Sequence, residues 1–584
     1  MSLIKEQIRA VVQKTGPLHA IIFVFVVTFI AYFNTLFNGF VYDDIPQVLT
    51  NPWIRDVRNI PEIFLSDVWH FETGASYAPN YYRPLMHLIF MLNYYVFGLH
   101  PWGFHLINVL FHAGNSILTF LITARILKEH CITSSTYYLF SSFIAALFFV
   151  THPIHTEAVA WVSGLPDLSF TFFYLLSFLF YILYGSAFRG GYLLSVASFF
   201  LAILCKETAL TLPIVLIVYD YAFRETKNGF FAFLKKYGPF FGAIGTYLVL
   251  RYNALGGFLP VQRHGDLTLY RYLINVPPLF SQYLEKLILP INLNFFHVFH
   301  PITDITQAKA LLSIVVTVAF AVLTWTSLKK NKTTFFSLFF LVFTLLPALY
   351  IPGVGENTLA ERYLYLPSFG FVLLIGLFVA WVMERHRYMV ILTAASLSLI
   401  GLSIMGTLSR NAVWKDSYTL WTDTVKKSQD SYSPRLNLGD ALMARGAIDD
   451  AIEQYLYSLN LHPTEIANNN LGYAYGVKGW KDMAIERYKQ AIKLNYNYAR
   501  SHYNLANTYA EIGRLDEAID EFLIALRLSP NNAEAHNNLG IAYANKGLMN
   551  EAIKHFEIAV KLSPERPDFR SNLATAYGSK SLAR

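Results

Sequence analysis

Long apolar runs recur along the first two thirds of the chain and stop shortly after residue 410. A helix needs about 20 apolar residues to cross the hydrocarbon core of a bilayer, and fewer where the bilayer thins. We predict eleven spans, at 18–38, 103–124, 135–151, 160–184, 190–205, 208–223, 237–255, 309–327, 335–352, 364–383 and 388–407. The pattern therefore predicts an all-α, polytopic membrane domain over residues 1–410 and a second domain over 411–584.

The basic residues of the loops predict the orientation of these spans. With eleven spans, alternate loops carry the Lys and Arg that normally stay in the cytoplasm. These residues are Arg125, Lys128, Arg189, Arg224, Lys227, Lys235, Lys236, Lys329, Lys330, Lys332, Arg385 and Arg387. Two further apolar stretches, 84–98 and 272–290, would reverse the later loops if one of them crossed alone, so we expect both to lie in or near the outer interface. An odd span count places the second domain on the non-cytoplasmic side.

The composition agrees with a membrane protein. Of the 584 residues 54% are hydrophobic and only 15% are charged, and the net charge of +7 is explained by basic cytoplasmic loops without a nucleic-acid partner. Cys131 and Cys205 fall on opposite faces and predict no disulfide. The first apolar run lacks a small-residue cleavage site, so we interpret it as a retained anchor. The one Asn-x-Ser/Thr sequon, at Asn331, falls in a cytoplasmic loop, which favours a bacterial inner membrane over the endoplasmic reticulum.

The second domain contains an internal repeat of about 34 residues. Pairs of Leu with a small residue mark its period: Leu438-Gly439, Leu471-Gly472, Leu505-Ala506, Leu539-Gly540 and Leu573-Ala574. Small residues at fixed positions let paired helices approach closely, and the pattern resembles the tetratricopeptide repeat. We predict four full repeats, preceded by a half-repeat at Ser417–Lys427 and closed by a helix near Asp568–Tyr577. Such α-solenoids present a concave surface to a protein partner.

The adjacent carboxylates Asp43 and Asp44 are the first candidate for chemistry, because they follow the first span on the outer face. Two neighbouring carboxylates repel, so one of them is expected to have a raised pKa and to accept a proton near neutrality. Such a group suits deprotonation of an acceptor hydroxyl. The alternative is that one Asp caps a short helix beginning at Ile45-Pro46.

Further ionisable motifs fall on the same predicted face. His152, His155 and Glu157 follow the third span, and Asp167 lies just inside the fourth. The loop could bind a metal, but phosphate or sugar hydroxyls are the favoured ligands, and helix capping is the structural alternative. Lys206 and Glu207 interrupt two apolar runs, where they would hold a phosphate or form an ion pair with each other.

A second group of outer residues adds cations. Arg362, between Glu361 and Tyr363, is suited to a bidentate grip on phosphate, although the neighbouring tyrosines could be only an interfacial belt. Arg83 adds one more cation on this face. Arg251 lies outside any motif, so we interpret it as a solvated loop charge. No Walker A loop, dinucleotide fingerprint, HExxH or GxSxG occurs, which disfavours a soluble-nucleotide enzyme.

Taken together, the motifs resemble the TMTC proteins, transmembrane proteins with tetratricopeptide repeats that are assigned as protein O-mannosyltransferases. The similarity is carried, in order, by Tyr42-Asp43-Asp44, Tyr82-Arg83-Pro84-Leu85, Pro101-Trp102-Gly103-Phe104-His105, His152-Pro153-Ile154-His155-Thr156-Glu157-Ala158-Val159, Cys205-Lys206-Glu207 and Glu361-Arg362-Tyr363-Leu364-Tyr365-Leu366-Pro367-Ser368. The resemblance implies a GT-C glycosyltransferase fold, a polyprenyl-phosphate sugar donor and inverting transfer to a hydroxyl. It also implies that the acidic pair supplies the catalytic carboxylate. The family usually has Gly-Arg before the acid of the fourth span, whereas here Leu165 and Pro166 follow Gly164.

We therefore expect a membrane glycosyltransferase that moves a sugar, mannose by the resemblance, from a polyprenyl phosphate to a Ser/Thr hydroxyl of a protein bound by the repeats. The catalytic residues are expected to be Asp43 and Asp44. The expected donor-binding residues are Arg83, His152, His155, Glu157, Asp167, Lys206, Glu207, Glu361, Arg362 and Tyr363. No metal site is predicted, although adjacent Asp residues could bind Mg²⁺ or Mn²⁺. The alternative hypothesis is a non-catalytic scaffold whose repeats recruit envelope proteins; a transporter is disfavoured because the ionisable motifs gather at one face.

Overall fold

The chain is helical wherever its structure is described. A computed structural model describes residues 16–71, 81–131, 135–184, 190–224, 229–257, 268–298, 300–350, 357–385 and 389–582. Within these ranges the β-structure amounts to one isolated antiparallel bridge, between Val298 and Asn357. The all-α prediction is confirmed.

Contacts divide the described chain into two compact units, the first ending at Leu420 and the second beginning at Trp421. The first unit extends past the predicted boundary at 410 because Gly39 N donates a hydrogen bond to Lys415 O at 2.8 Å and the side chain of Trp414 is fully buried. Its α-helices are α1 (Pro17–Tyr32), α2 (Ile60–Leu65), α3 (Pro84–Phe97), α4 (Pro101–His130), α5 (Ser135–Thr151), α6 (Thr156–Ala160), α7 (Leu165–Leu183), α8 (Gly191–Cys205), α9 (Leu212–Phe223), α10 (Phe230–Leu255), α11 (Leu269–Ile288), α12 (Ala308–Lys330), α13 (Lys332–Leu345), α14 (Ser368–Glu384) and α15 (Met389–Asn411).

Several of these helices are long and apolar enough to cross a membrane. In the described ranges six segments meet this criterion: Pro17–Phe37, Pro101–His130, Val162–Leu183, Ala308–Lys330, Lys332–Leu349 and Met389–Trp414. A seventh results if Tyr137–Thr151 and Pro153–Ala160, which meet at a bend of 47°, form one span. Helices α3, α8 and α14 are apolar but shorter. The protein is thus an integral membrane protein, whereas the count of eleven spans stays a prediction.

The two stretches left over from the span prediction are helices as well. The first corresponds to α3, and the second overlaps α11, which begins three residues earlier, ends two residues earlier and contains Pro277 and Pro278. Helix α11 buries Tyr283 and Leu287 in an apolar cluster that also contains Ile154. It therefore packs beside the turn that follows α5, although its position in the bilayer stays a prediction.

Short 3₁₀ turns interrupt the apolar helices at one end of this unit. They lie at Pro153–His155, Val162–Gly164, Glu207–Thr211 and Glu361–Leu364. A proline in or just after the first three of these turns removes a backbone donor and starts the next helical segment, as expected for proline at a helix N-terminus. All predicted polar motifs of the sequence from His152 onward lie on or beside these turns.

Basic residues gather at the opposite end of α7. Arg224 donates to Ile182 O at 2.9 Å, and Lys236 pairs with the buried Asp220 at 2.6 Å. Asp167 occupies the first turn of α7, which has 19 residues, so the two ends are about 28 Å apart at 1.5 Å per residue. The separation of the two polar ends matches a span with a basic cytoplasmic end.

The second unit is a stack of antiparallel helix pairs. After α16 (Ser417–Lys427) at the boundary, its helices are α17 (Tyr432–Ala444), α18 (Ile448–Leu461), α19 (Glu465–Val477), α20 (Lys481–Leu494), α21 (Ala499–Glu511), α22 (Leu515–Leu528), α23 (Ala533–Asn545), α24 (Met549–Leu562) and α25 (Pro567–Leu582). Gly472 has no Cβ, and one built there would lie 2.8 Å from the Tyr488 ring, so the glycine is what allows α19 and α20 to pack closely. These elements confirm the predicted repeats.

Candidate functional site

The acidic pair lies on a short loop that is hydrogen-bonded to the turn Val162–Gly164, directly before α7. Asp44 is fully buried, and its Oδ1 accepts hydrogen bonds from Ser163 N at 2.7 Å and Ser163 Oγ at 2.6 Å. Its Oδ2 accepts one from Val41 N at 3.0 Å. The side chain therefore joins two outer loops and does not cap the turn at Ile45, so the capping interpretation is wrong for Asp44.

The two carboxylates have different environments. Burial raises the pKa of Asp44 to about 7, although the hydrogen bonds from Ser163 and Val41 favour its charged form. Asp43 is half-buried, and it follows Tyr42, which has a φ of +51°. A non-glycine residue in this left-handed region is uncommon, and such conformations concentrate at functional sites. Asp43 is therefore the member of the pair with access to a ligand.

A cavity of about 480 Å³ lies among the turns that end the apolar helices. One part of its wall is charged and consists of Arg83, Asp167, Lys206, Glu207, Arg251 and Arg362. Another part is apolar and includes Phe170, Leu210, Ile214, Leu248, Phe343 and Leu366. Side chains from distant parts of the sequence thus form one pocket that is charged on one side and apolar on the other.

Two ion pairs hold the charged wall of this cavity. Lys206 Nζ lies 2.6 Å from Asp167 Oδ1, and both side chains are only 6% exposed. Arg83 forms a forked contact with Glu207, with N–O distances of 2.8 and 3.3 Å. Ion pairs in a low-dielectric site need such close geometry to offset their desolvation. The sequence-based alternative of a mutual pair between Lys206 and Glu207 is wrong, because each residue pairs across the fold.

A third ion pair positions Arg362. Its guanidinium contacts Glu157 Oε1, and its backbone N donates to Glu157 Oε2 at 3.0 Å. Tyr363 lies between two cations, with Lys206 Nζ 4.9 Å and Arg362 Cζ 5.0 Å from its ring centroid. Cations at this distance interact favourably with an aromatic face. Tyr363 is therefore part of the cationic wall and not only of an interfacial belt.

Burial and pairing shift the titration of the loop residues of this wall. Burial alone would raise the pKa of Glu207, but the Arg83 guanidinium outweighs it and the pKa lies at about 2. Burial also lowers the pKa of Lys206, an effect that Asp167 partly offsets. The cavity is lined by four cationic side chains, counting Arg251, and by two carboxylates, while Glu157 pairs with Arg362 from outside the lining.

Sequence reasoning missed Arg251. It lies near the end of α10, is only 6% exposed and lines the cavity, so the interpretation as a solvated loop charge is wrong. Its position within an apolar helix was the available signal, because an arginine buried among apolar residues needs a functional or structural reason. Arg83, Asp167, Lys206, Glu207, Arg362 and Tyr363 are the predicted residues that line the same cavity.

One aromatic ring connects the acidic loop to the cavity. The Trp161 ring lies 6.5 Å from the Tyr42 ring and 5.3 Å from Arg362 Cζ. Tyr42 directly precedes Asp43, and Trp161 precedes the Ser163 that binds Asp44. Two successive ring contacts thus lead from the residue before Asp43 to Arg362.

The two predicted donor-binding histidines have protein partners. His152 Nε2 donates to Leu287 O at 2.9 Å, while its Nδ1 accepts from Ile154 N. His155 uses both ring nitrogens as well, with Phe149 O at 2.8 Å and Ser368 Oγ at 2.9 Å. Their imidazoles are thus engaged in holding turns together, and neither residue lines the cavity.

Glu361 also lies apart from the cavity lining. Its Oε1 accepts a hydrogen bond from Asn294 N at 2.5 Å and lies 3.4 Å from His297 Nε2. The buried carboxylate therefore orders the segment after α11. Protein groups thus occupy both ring nitrogens of each histidine and Oε1 of Glu361, whereas Glu361 Oε2 is buried without a hydrogen-bond partner among the described residues; the donor-binding role of the three residues stays a prediction.

The acidic pair does not fit a cation site made of two carboxylates. Both oxygens of Asp44 accept hydrogen bonds from protein donors, which a cation ligand would have to give up. Across the ranges that the structure describes, no group of three His, Cys, Asp or Glu is arranged to hold a metal ion.

Comparison with known proteins places the chain among named relatives. It is 27% identical over 518 residues to human "Protein O-mannosyl-transferase TMTC3", covering 79% of this chain and 54% of that protein. The mouse protein of the same name is 28% identical, covering 76% of this chain and 51% of its own length. "Protein O-mannosyl-transferase F38B6.6" of Caenorhabditis elegans is 26% identical, covering 74% and 61%. The chain thus spans about half the length of the TMTC3 relatives it matches.

The C-terminal unit also matches family models. The model described as "TPR repeat" matches residues 482–513 and 506–547, and "Tetratricopeptide repeat" matches 533–566. Among solved structures, "Crystal structure of MamA" is 30% identical over 25% of this chain and 87% of that one, with a TM-score of 0.24. The chain, with its apolar helices followed by tetratricopeptide repeats, is therefore similar in sequence to the TMTC proteins over about three quarters of its length.

Proposed function

We propose that this protein is a membrane glycosyltransferase that moves mannose from a polyprenyl-phosphate carrier to a Ser/Thr hydroxyl of a protein held by the repeats. The observation that carries the proposal is the cavity in which four cationic side chains share one volume with an apolar wall. This combination suits a ligand with an anionic phosphate and a hydrocarbon tail. The names of the relatives, protein O-mannosyl-transferases, support mannose as the sugar and a protein as the acceptor.

The cationic wall would bind the phosphate of the donor. Arg362, Lys206 and Arg83 are each held by a carboxylate partner, so they are fixed before a ligand arrives. The phosphate gains one negative charge as it leaves the sugar, and fixed cations in a water-poor site stabilise developing charge. Arg251 supplies the fourth cation, so that the cavity keeps an excess of positive charge for this group.

The apolar wall would hold the first isoprene units of the carrier. Leu210, Ile214, Leu248 and Phe343 lie on it, and Ile214 is 43% exposed on the outer surface of the unit. An isoprenoid tail reaches this wall from lipid and not from water, so it packs there without loss of hydration, whereas the wall offers no polar partner to a soluble nucleotide. The wall therefore supports a lipid-linked sugar over a soluble sugar nucleotide.

Asp43 would act as general base. In the proposed step the acceptor hydroxyl gives its proton to the Asp43 carboxylate while its oxygen attacks C1 of the sugar. The bond from C1 to the phosphate oxygen breaks, its electron pair stays on the phosphate, and attack from the opposite face inverts C1. Asp44 acts only through position, because its hydrogen bonds to Ser163 fix the loop that carries Asp43.

The same geometry supports the predicted sidedness. The cavity and the acidic loop lie at one end of α7, and the basic cluster around Arg224 and Lys236 lies at the other. Basic ends prefer the cytoplasm. We therefore place the reaction, with the repeats, on the non-cytoplasmic side, where the carrier presents its sugar in the outer leaflet.

The proposal is tested by transfer from synthetic polyprenyl-phosphate mannose to a Ser/Thr peptide in vesicles that contain the purified full chain. Asp43→Asn is expected to lower the transfer rate by about 100-fold or more, as for loss of a general base, with unchanged melting behaviour. Asp56→Asn is the matched control, because Asp56 is an acid of the same outer loop that pairs with Arg58 at the surface. It is expected to transfer at the wild-type rate.

The same experiment distinguishes a glycosyltransferase from the alternative, a non-catalytic scaffold. Wild-type protein that binds the peptide but neither binds nor consumes the lipid-linked sugar would be a scaffold. An Asp43→Asn variant that transfers at the wild-type rate would remove Asp43 from the mechanism. Asp44→Asn is expected to lose stability as well as rate, because its amide would point an N–H at a backbone donor.

A further inference from the structure

Four aromatic side chains pack together beside the acidic loop. The ring of Phe295 lies at their centre, and its centroid is 5.6 Å from Trp161, 5.2 Å from Trp414 and 5.6 Å from Tyr42. Trp161 and Trp414 also stack on each other, with centroids 6.1 Å apart and 27° between the ring planes. These four residues, here called the aromatic cluster, come from four separate segments of the membrane unit, so the tertiary fold alone brings them together.

The aromatic cluster contains buried polar atoms that no protein group pairs. Trp161 and Trp414 are 5% and 0% exposed, yet neither indole Nε1 has a hydrogen-bond partner among the described residues. The same is true of Oε2 of Glu361, which is 1% exposed. Glu361 reaches the cluster through its Oε1, which accepts from the backbone N of Asn294, the residue before Phe295. Buried donors and acceptors are nearly always paired in native proteins, so three unpaired atoms in one region require an explanation.

The aromatic cluster lies between the two groups that act on the donor in the proposed mechanism. Tyr42 directly precedes the general base Asp43, and Arg362 Cζ lies 5.3 Å from the centroid of the Trp161 ring. The base and the phosphate-binding cation must flank the sugar, because its C1 is attacked by the deprotonated hydroxyl and is bonded to the leaving phosphate. A sugar held between Asp43 and Arg362 therefore meets the aromatic cluster.

We propose that the aromatic cluster is the subsite for the sugar ring of the donor and that it selects an uncharged sugar. This inference rests on the proposed function. Sugar hydroxyls both donate and accept hydrogen bonds, so they match the N–H groups of Trp161 and Trp414 and the Oε2 atom of Glu361. The apolar C–H groups of the sugar pack against the aromatic faces, as ligands do in pockets with a few placed polar groups. The carboxylate of Glu361 repels a sugar that carries a negative charge.

Tyr42 is the member of the aromatic cluster that controls access to it. Its side chain is 38% exposed, whereas the other three rings are at most 5% exposed. The Tyr42 ring lies against Phe295 and 6.5 Å from the centroid of Trp161. Its φ of +51° is unfavourable for a residue with a side chain, so a change in this loop relieves strain. We expect the tyrosine ring to turn away from Trp161 and Phe295 when the sugar enters.

Two synthetic lipids separate binding of the sugar from binding of the phosphate. The full chain in lipid nanodiscs is titrated with farnesyl-phosphate mannose and with farnesyl methyl phosphate, a diester of the same charge without the sugar. Trp414→Phe keeps an aromatic ring and removes the N–H. It is expected to raise the Kd of the mannosyl lipid about three- to tenfold, as for one lost hydrogen bond, and that of the methyl diester less than about twofold.

Trp381→Phe is the matched control for this variant. Trp381 is 53% exposed on α14, and its ring contacts Arg385 and not the aromatic cluster. Both Kd values are expected to equal those of the wild type. Melting temperatures check that each variant is folded.

Selection by charge is tested on the unaltered protein. Farnesyl-phosphate glucuronate, whose sugar carries a carboxylate, is expected to bind about tenfold or more weakly than the mannosyl lipid, because its charge approaches Glu361. Glu361→Gln keeps an acceptor for the backbone N of Asn294 and removes the negative charge. It is expected to narrow the difference between the two lipids, and it tests the same subsite if Trp414→Phe does not fold.

Two outcomes overturn the inference: a folded Trp414→Phe variant that binds the mannosyl lipid like wild type or weakens both lipids equally, or equal binding of the mannosyl and glucuronyl lipids. Failure of the proposed function is distinguishable, because no acceptor is present in these titrations. A protein that binds the lipids in the expected pattern but transfers no sugar refutes the function alone. One that transfers mannose at the same rate and with the same donor Kd after Trp414→Phe refutes the inference alone.

Discussion

Ion pairs serve different purposes in the two units. In the membrane unit Lys206 and Asp167 are each 6% exposed, whereas in the repeat unit Lys478 and Asp449 are 26% and 79% exposed. The exposed pair joins successive repeats in water, where such contacts contribute little. The buried pair has lost its hydration, which is unfavourable for stability. A requirement for charge inside the cavity explains why the pair is kept there. Burial, more than the presence of a pair, thus distinguishes a candidate site from a surface contact.

Both units also use glycine to bring helices together, but they are expected to differ in how well they tolerate a larger side chain at that position. A Cβ on Gly370 would lie 2.6 Å from Ser337 O and 2.9 Å from Leu341 N, which are backbone atoms of α13. A Cβ on Gly472 would lie 2.8 Å from the ring of Tyr488, a side chain, and 3.2 Å from the backbone oxygen of Ala484. Backbone cannot move aside without moving the whole helix, so the membrane unit is expected to be the less tolerant of the two.

The largest expected effect comes from breaking a buried pair. Lys206→Met removes the hydrogen-bonded partner of the buried Asp167 carboxylate and leaves only the more distant arginines Arg83 and Arg362 to offset its charge, so it is expected to cost about 3 kcal/mol of stability, together with sugar transfer. Lys478→Met, the matched exposed change, is expected to cost less than about 1 kcal/mol. Thermal unfolding of each variant in detergent measures both.

A double variant sharpens this comparison. Lys206→Met with Asp167→Leu removes both charges and is expected to regain most of the lost stability while transfer stays abolished, because the cation that binds phosphate is still missing. Equal destabilisation by Lys206→Met and Lys478→Met would contradict the distinction between the two units.

The next largest effect is expected from filling a helix contact. Gly370→Ala is expected to cost about 3 kcal/mol or more and Gly472→Ala about 1 kcal/mol, since overpacking is costly where backbone must yield. Gly401→Ala is the control within the membrane unit, because open space surrounds that position on α15. Its melting temperature is expected to be unchanged or slightly raised, and a larger loss for Gly472→Ala than for Gly370→Ala would refute the argument.

The smallest effect concerns pH at the most exposed pair of the cavity wall. The pKa of Glu207 falls from 4.5 to about 2 in the folded protein, so the unfolded chain binds more protons between these values. The stabilisation is therefore present above about pH 4.5 and is lost as the pH falls towards 2. Glu207 is 33% exposed, and water screens part of this contribution.

Melting temperatures of wild type and Arg83→Met across this range measure the pH effect. The gap between the two proteins is expected to be widest above pH 5 and to close as the pH approaches 2. A gap that does not depend on pH would mean that Arg83 acts through packing and not through the charge of Glu207.

Much of the architecture could be predicted because local patterns determine it. The 34-residue period predicted the helix pairs, and Ser417–Lys427 is a helix with the predicted bounds. Long apolar runs predicted the membrane helices for the same reason, since a helix satisfies its own backbone in hydrocarbon. The boundary between the units was harder to predict from the sequence, because Lys415 belongs to the membrane unit through a hydrogen bond to the distant Gly39.

The site was only partly accessible to sequence reasoning. Motifs pointed to the cations Lys206 and Arg362 and, separately, to the carboxylates Asp167 and Glu157, but they did not predict which cation pairs with which carboxylate. His155 looked like a ligand because its ring is polar, yet the fold gives both ring nitrogens to protein partners. Arg251 lacked any local motif and became visible only as part of a cavity wall.

The amino-acid order by itself determined which segments are helices, how the repeats recur and which residues carry charge at the ends of apolar runs, because these depend on contacts within a few turns of one helix. Tertiary structure alone decided that Arg83 pairs with Glu207, that Asp44 is anchored by Ser163 and that Arg251 enters the cavity. The reason is physical: such contacts join residues more than a hundred positions apart, and their partners are selected by packing and by the need to neutralise buried charge, which no local pattern encodes.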